Sequence, residues 1–525
     1  MFHSVRRAGA ARFSTRNIAT KPSQHGQPTI TSHPHLIRRH DLTPGIPSSE
    51  YEQRRRKLMD LLPEKSIAIA VSTPVKYMSG KIFYKYRPAS DMWYLTGFEE
   101  PDSAVVLQKD SSSKGYKMTL FCAGTDMSKA KWNGATTSLS AAKEIFQADD
   151  TLPIENFGSH VKSLLSSASL VYVDLPNPAP WNPKTSYKKP RSLLKYLSGS
   201  SSTEQEDVVD SISGSMRRPL APQMGKLRSI KSKAEQRVMR QAADISGRAH
   251  AKVMRFAQPG MLEAKLEAHF EYICALEGAK RLAYVPVVAS GPNALILHYT
   301  HNNQIIEKDE LVLIDAGCEY DAVATRLILA TRTFPASGTF TPAQRELYSA
   351  VLSVQKQLIE LCTASQGYSS QELHRKSCSL LKQELNQIGF NLGTEGDLER
   401  VLYPHYFGHP IGIGELRSLV FFALRQFLVL DILNGGLINS MIDLHESAHV
   451  DRSSPLKEGM VITIEPGIYV PPTPNFPTHF HNIGIRIEDE VLVQDKHAVV
   501  LSVSAPKEIA DIEGACQGLL GLEPY

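Results

Sequence analysis

The sequence predicts an α/β domain followed by an α+β domain, on three observations. Apolar or alternating runs of strand length, separated by helical patterns, fill residues 49–225. Two long helical patterns, Ser232–Gln258 and Leu262–Glu277, then follow one another across Pro259-Gly260. Beyond them the apolar runs become strand-like. A chain of 525 residues has room for two or three domains, at roughly 150 residues each.

Each element has its own signal. In the first domain a helix is expected around Tyr51–Leu62, with Ser48-Ser49-Glu50 as its capping signal. Ser66–Val71, Ser103–Gln108 and Lys117–Cys122 read as strands, Ser138–Phe146 as a helix, and Ser198–Asp210 as a polar surface loop. In the second domain Ala283–Ala289, Glu310–Ala316, Val461–Ile464 and Ile483–Val493 read as strands. No internal repeat stands out. No apolar span reaches eighteen residues, so no transmembrane segment is expected.

Hydrophobic content of 42% and charged content of 21% are ordinary for a globular chain. A net charge of +4 is small for this length and calls for no nucleic-acid partner. The six cysteines (Cys122, Cys274, Cys318, Cys362, Cys378, Cys516) are scattered without a CxxC pair, which predicts reduced, mostly buried thiols in an intracellular compartment. Residues 1–21 carry Arg6, Arg7, Arg12, Arg16 and Lys21, and the first acidic residue is Asp41. Basic, Ser- and Ala-rich and free of acids, they read as a mitochondrial presequence. Residues 22–48, dense in Pro, His, Gly and Ser, read as a linker arm.

Several residues have the placement that two-metal hydrolysis requires, where carboxylates bridge the ions beside a histidine and an open position for water. Asp315 ends the apolar run LVLIDAG; His409 lies in PHYFGHPIGI with glycines on either side; Glu465 closes VITIEPG. Arg486 and Glu488, two apart in GIRIEDE, share one face of a strand while Ile485 and Ile487 take the other. His298 in ILHYT and His445 in DLHES are further imidazoles able to handle protons. Singly, each has a plainer role: a strand-end cap, a surface histidine, or a solvated acidic edge at Glu488-Asp489-Glu490.

Together these strings resemble one family. HYT, LIDAGCEY, TRTFP, PHYFGHPIGI, LKEGMVITIEPGIY and HNIGIRIEDEVLV stand in the order found in pita-bread (creatinase/aminopeptidase-like) metallopeptidases, and look like aminopeptidase P. YEQRRRKLMDLLP, KYRPASDMWYLTGFEEPDSAVVL and FCAGTDMSKAKWNG are similar to that family's N-terminal domain. The arm GQPTITSHPHLIRRHDLTPGIPSS resembles the mitochondrial, intermediate-cleaving branch, and the likeness spans roughly residues 25–505. It implies an N-terminal domain over 49–225, a pita-bread domain over 226–505 and a tail over 506–525. It implies Asp315, His409, Glu465 and Glu488 as ligands of two divalent ions, normally manganese. His298 and His445 would contact substrate and intermediate, with His405 and Arg486 orienting the site.

The activity implied is removal of one N-terminal residue from peptides or imported precursors, with a homo-oligomer left open. A prolidase-type dipeptidase and a non-catalytic pita-bread binding module are the alternatives.

Two departures stand out. The family's second bridging Asp falls on Arg326 counting from Asp315 and on Leu329 counting back from TRTFP, in a segment three residues too long. Asp321 is the nearest carboxylate, but it lies before the mismatch. The family also separates the counterparts of His409 and His445 by seven residues. Removing the twenty-nine residues Gly414–Ile442 restores that spacing. This apolar, aperiodic piece reads as a retained intron, and the missing Asp as a local frame error. The chain as written is therefore expected to be a poor enzyme.

Overall fold

The structure is a computed structural model, and it describes residues 19, 21–173, 212, 214–320, 330–393, 397–411 and 452–521. Residues 1–18, the Ser198–Asp210 loop, Asp321, Arg326, Leu329, the Gly414–Ile442 piece and His445 lie outside the described residues.

The N-terminal half is built on a six-stranded mixed sheet. Its strands are β1 (Ser66–Val71), β2 (Ala104–Lys109), β3 (Tyr116–Cys122), β4 (Asp150–Pro153), β5 (Leu170–Val173) and β6 (Arg217–Pro219), in the order β6-β5-β1-β2-β3-β4. β2 runs antiparallel to both β1 and β3, whereas β1–β5, β5–β6 and β3–β4 are parallel pairs. Both faces are covered, and the period of two sorts the side chains between them. Ala68 and Ala70, Val105 and Leu107, and Met118 and Leu120 face one core; Ile67 and Ile69, Val106, and Phe121 face the other.

Helix α1 (Ser48–Leu61) packs on the first core through Tyr51, Leu58 and Met59. Its start corrects the sequence reading. Pro47 holds the N-cap position without a side-chain cap. Glu50 is used elsewhere, accepting from Arg54 at 2.5 Å and from Ser232 Oγ at 2.8 Å. Arg54 also pairs with Glu235 at 3.1 Å and lies 4.2 Å over the Tyr94 ring, which ties the two halves of the chain together. The arm before α1 lies against this half: Gln27 donates to Gly97 O at 3.0 Å, and Ile37, Leu42 and Ile46 are buried.

The C-terminal half opens with α2 (Lys233–Phe256) and α3 (Glu263–Leu276). Ser232 and Glu235 form a reciprocal capping box that fixes the start of α2. Then come β7 (Ala279–Leu282), β8 (Val287–Ser290), β9 (Leu311–Ala316), β10 (Cys318–Tyr320) and β11 (Ala330–Pro335). Of the strand expected at Ala283–Ala289 only Val287–Ala289 forms, within β8; Ala283–Pro286 lie between β7 and β8, where Pro286 has no ladder donor to offer.

Helices α4 (Pro342–Leu361) and α5 (Ser370–Gln387), opened by capping boxes at Thr341 and Ser369, follow. The sequence reading had not singled them out. β12 (Val461–Ile464), β13 (Gly467–Val470), β14 (Ile483–Arg486), β15 (Asp489–Val493) and β16 (Ala498–Val500) complete the sheets, and α6 (Ile509–Gln517) packs on α2. The expected strand Ile483–Val493 breaks at Ile487-Glu488, because β14 pairs with β13 while β15 pairs with β12. Asp489 and Glu490 are fully buried, so the solvated-edge reading of the acidic run is wrong. Five cysteines are buried, Cys516 is half-buried, and all six are free.

Candidate metal centre

Four strand ends converge on one point. In the three-stranded sheet β8-β9-β11, Asp315 pairs with Val287 on one side and Thr331 on the other. Directly opposed residues share a face, so the Thr331 hydroxyl lies beside the carboxylate. Glu488 joins the same row: its N–H donates to Thr331 O at 3.1 Å, and its Oε2 accepts from Thr331 Oγ1 at 2.6 Å.

Glu465 leaves β12 with its N–H on Phe407 O, and Thr463 N–H bonds His409 O, so the segment at 407–409 lies along β12. The approach is close. A Cβ on Gly408 would come within 1.9 Å of Thr463 O, and only glycine fits there. His409 therefore stands beside Glu465, its Nε2 3.5 Å from Glu465 Oε1. Donor atoms of His409, Glu465 and Glu488 all lie within 4.8 Å of one another.

Asp315 is held at the edge of this group. Arg486 Nη2 donates to its Oδ2 at 2.6 Å, and Tyr284 OH donates to its Oδ1. Arg486 spends its other nitrogens on Tyr469 OH at 2.7 Å and Thr331 Oγ1 at 3.3 Å. Tyr469 OH meets His405 Nε2 at 3.0 Å, while His405 Nδ1 faces Tyr406 O at 2.8 Å. Arg486 is thus a three-way brace with His405 behind it.

The electrostatics are those of a buried, over-charged cluster. Asp315, Glu465 and Glu488 are three carboxylates facing one guanidinium, Arg486. Burial, with repulsion from Asp315, pushes Glu465 up to about 7. Burial and the charges of Glu465 and Asp315 raise Glu488 well above the usual carboxylate range. Partial desolvation and then Arg486 lower the His298 imidazole, against a weaker opposite pull from Asp315. Burial pushes His405 down to about 3. A divalent cation would supply the positive charge this donor set lacks, and oxygen donors with one imidazole suit hard or borderline ions.

The structure thus gathers Asp315, His409, Glu465, Glu488, Arg486, His405 and His298 in one neighbourhood. His445 lies outside the described residues. Sequence reasoning missed Tyr284, Thr331, Thr463 and Tyr469. Their hydroxyls carry no spacing signature, although Thr331 and Tyr469 sit inside the strings TRTFP and EPGIY.

A pita-bread fold with such a centre defines a metallopeptidase. Residues 237–495 match metallopeptidase family M24, and residues 51–172 match the aminopeptidase P N-terminal domain. The chain is 36% identical over 500 residues to intermediate cleaving peptidase 55 of Saccharomyces cerevisiae, covering 94% of this chain and 89% of that one. It is 33% identical over 522 residues to Xaa-Pro aminopeptidase 3 of Rattus norvegicus, covering 96% and 94%. With the mitochondrial intermediate cleaving peptidase 55 of Arabidopsis thaliana it shares 34% over 511 residues, covering 97% and 91%. A crystal structure of the yeast protein superimposes with a TM-score of 0.74 at 32% identity, covering 91% of this chain and 99% of that one.

The chain belongs to metallopeptidase family M24, in its aminopeptidase P branch. It is a mitochondrial metalloaminopeptidase that removes an N-terminal residue. Among the described residues no helix is long and apolar enough to cross a membrane.

Proposed function

We propose that Asp315, His409, Glu465 and Glu488 hold two divalent ions, manganese by family likeness, and that this centre trims a single residue from peptides and imported mitochondrial precursors. The observation that carries the reading is the convergence of His409, Glu465 and Glu488 within 4.8 Å in a buried, carboxylate-rich pocket. When bound, the ions supply Lewis acidity and a water of lowered pKa as nucleophile.

The rest is done by this chain. Tyr284 and Arg486 fix both oxygens of Asp315, so the carboxylate cannot rotate away from the centre. Thr331 and Thr463 orient Glu488 and Glu465 in the same way. His298, solvent-accessible beside Asp315 and Arg486, would hydrogen-bond the scissile group, with His445 as its counterpart. Arg486 limits repulsion among the carboxylates without competing as a ligand.

A prolidase-type dipeptidase would share the ligands, but the presequence at residues 1–21 and the linker arm favour the aminopeptidase. A non-catalytic pita-bread module would lose several ligands, whereas four stand here. The test is mass spectrometry of a nonapeptide, with proline second or an aromatic residue first, incubated with the manganese-loaded protein lacking Gly414–Ile442 and carrying Asp at position 329. Loss of a single N-terminal residue is expected, with kcat lowered about 10²–10⁴-fold in His298→Ala at unchanged metal content. Cleavage of dipeptides alone, or metal bound without cleavage, would overturn the reading.

A further inference from the structure

Glu263 is the first residue of α3, is fully buried, and takes no part in the carboxylate cluster. Its carboxylate gathers five donors. Oε1 accepts from Ser290 N and Ser290 Oγ, both at 2.8 Å, and from Asn293 Nδ2 at 3.1 Å. Oε2 accepts from Tyr299 OH at 2.8 Å and Gln304 N at 3.0 Å. The Glu263 N–H donates in return to Gln304 O at 3.0 Å. These partners stand at the beginning, middle and end of segment 290–304, the segment that carries His298.

All five donors are neutral dipoles; none is a lysine or arginine. Burying a carboxylate is costly unless its oxygens are satisfied, and mere packing would be served by an apolar residue of similar size. What a carboxylate offers here is geometry: two oxygens with several lone pairs can draw five groups of one loop to a single point. Other contacts complete the clamp. Asn302 Oδ1 accepts from Val288 N at 2.9 Å, and Asn302 Nδ2 donates to Pro286 O at 3.0 Å. A Cβ on Gly484 would come within 2.6 Å of Ala294 O, so β14 also presses on the segment.

We propose that Glu263 is a positioning residue for peptide hydrolysis: it sets the path of segment 290–304 and, through Tyr299, the place of the adjacent His298. The proposal rests on reading His298 as a substrate-binding imidazole. A misplacement near 1 Å at such a group costs on the order of 100-fold in rate.

The test is a double-mutant cycle on the full, metal-loaded protein. Glu263→Gln keeps the size but turns one acceptor into an N–H donor that faces donors. Its kcat is expected to fall about 10–100-fold at unchanged metal content. Combined with His298→Ala, it should cost less than about 2-fold further, because the imidazole it places is already gone. Tyr299→Phe removes one donor, keeps the ring and carries the same cycle should Glu263→Gln not fold; its smaller loss should likewise vanish in the His298→Ala background.

A structural role alone would leave losses that multiply with His298→Ala, and that result overturns the proposal. So does wild-type kcat in Glu263→Gln and Tyr299→Phe while His298→Ala is impaired. Wild-type kcat in His298→Ala removes the underlying reading, and the proposal with it.

Discussion

Removing one ligand charge should stabilise the metal-free protein while abolishing its response to metal. Glu465 rises to about 7 in the folded chain, against an ordinary glutamate near 4.5. A group raised on folding contributes stability that is fully present below its unfolded pKa and lost as pH rises through its folded one. Above pH 7 the metal-free protein therefore holds Glu465 ionised at a cost of about 3 kcal/mol, from about 1.4 kcal/mol per pKa unit. At pH 5 the cost is below about 1 kcal/mol. Glu465→Gln keeps the shape and cannot ionise.

In EDTA the variant should lie close to wild type at pH 5 and melt roughly 6–12 °C higher at pH 8.5, at about 2–4 °C per kcal/mol for a domain of this size. Saturating manganese should raise wild type and leave the variant unmoved, since only the intact ligand set gains from mass action. Scanning calorimetry at three pH values, with and without metal, reads all of this. A variant no more stable than wild type at pH 8.5 in EDTA would refute the charge-repulsion argument. An equal manganese shift in both would remove Glu465 from the site.

The other predictions are separate in kind. Arg332, fully buried, reaches Asp489 at 2.7 Å and Ala505 O at 3.0 Å, so Arg332→Met strands part of a buried charge network and should cost about 3–5 kcal/mol, read as a lowered melting temperature. Unchanged melting would show that Lys507, 2.5 Å from Asp489, balances that carboxylate alone. A fluorescent fusion of residues 1–45 should enter mitochondria; a cytosolic signal would count against the address at residues 1–21. The chain as written should be at least tenfold slower with manganese than one lacking Gly414–Ile442 and carrying Asp at position 329. Equal rates would mean the two departures are tolerated.

What the sequence disclosed follows from how each element is stabilised. Ser66–Val71 and Val461–Ile464 match their strands residue for residue, because an apolar run covered on both sides reads the same locally and globally. The helix cap at Ser48-Ser49-Glu50 failed because Arg54, one turn on, and the distant Ser232 claim the Glu50 carboxylate, and short spacing rules cannot weigh a partner such as Ser232. The strand Ile483–Val493 looked continuous because its alternation never breaks; only the change of partner from β13 to β15's neighbour β12 divides it. That division is what the site uses. Arg486 ends one strand and Glu488 precedes the next, so both reach the centre while Ile485 and Ile487 stay in the core.

Register explains both the missed hydroxyls and the better count for the missing carboxylate. Thr331 matters because it stands across from Asp315, a relation of sheet pairing with no trace in linear spacing. The β9–β11 ladder runs without a slip from Leu311↔Pro335 to Ala316↔Ala330, so TRTFP is anchored to the Asp315 strand residue by residue. Distances counted back from Thr331 therefore keep their meaning, whereas those counted forward from Asp315 pass through the segment that is three residues too long. Counting back gives Leu329, and forward Arg326. The restoring substitution thus belongs at 329, and an Asp placed at 326 should not recover the rate.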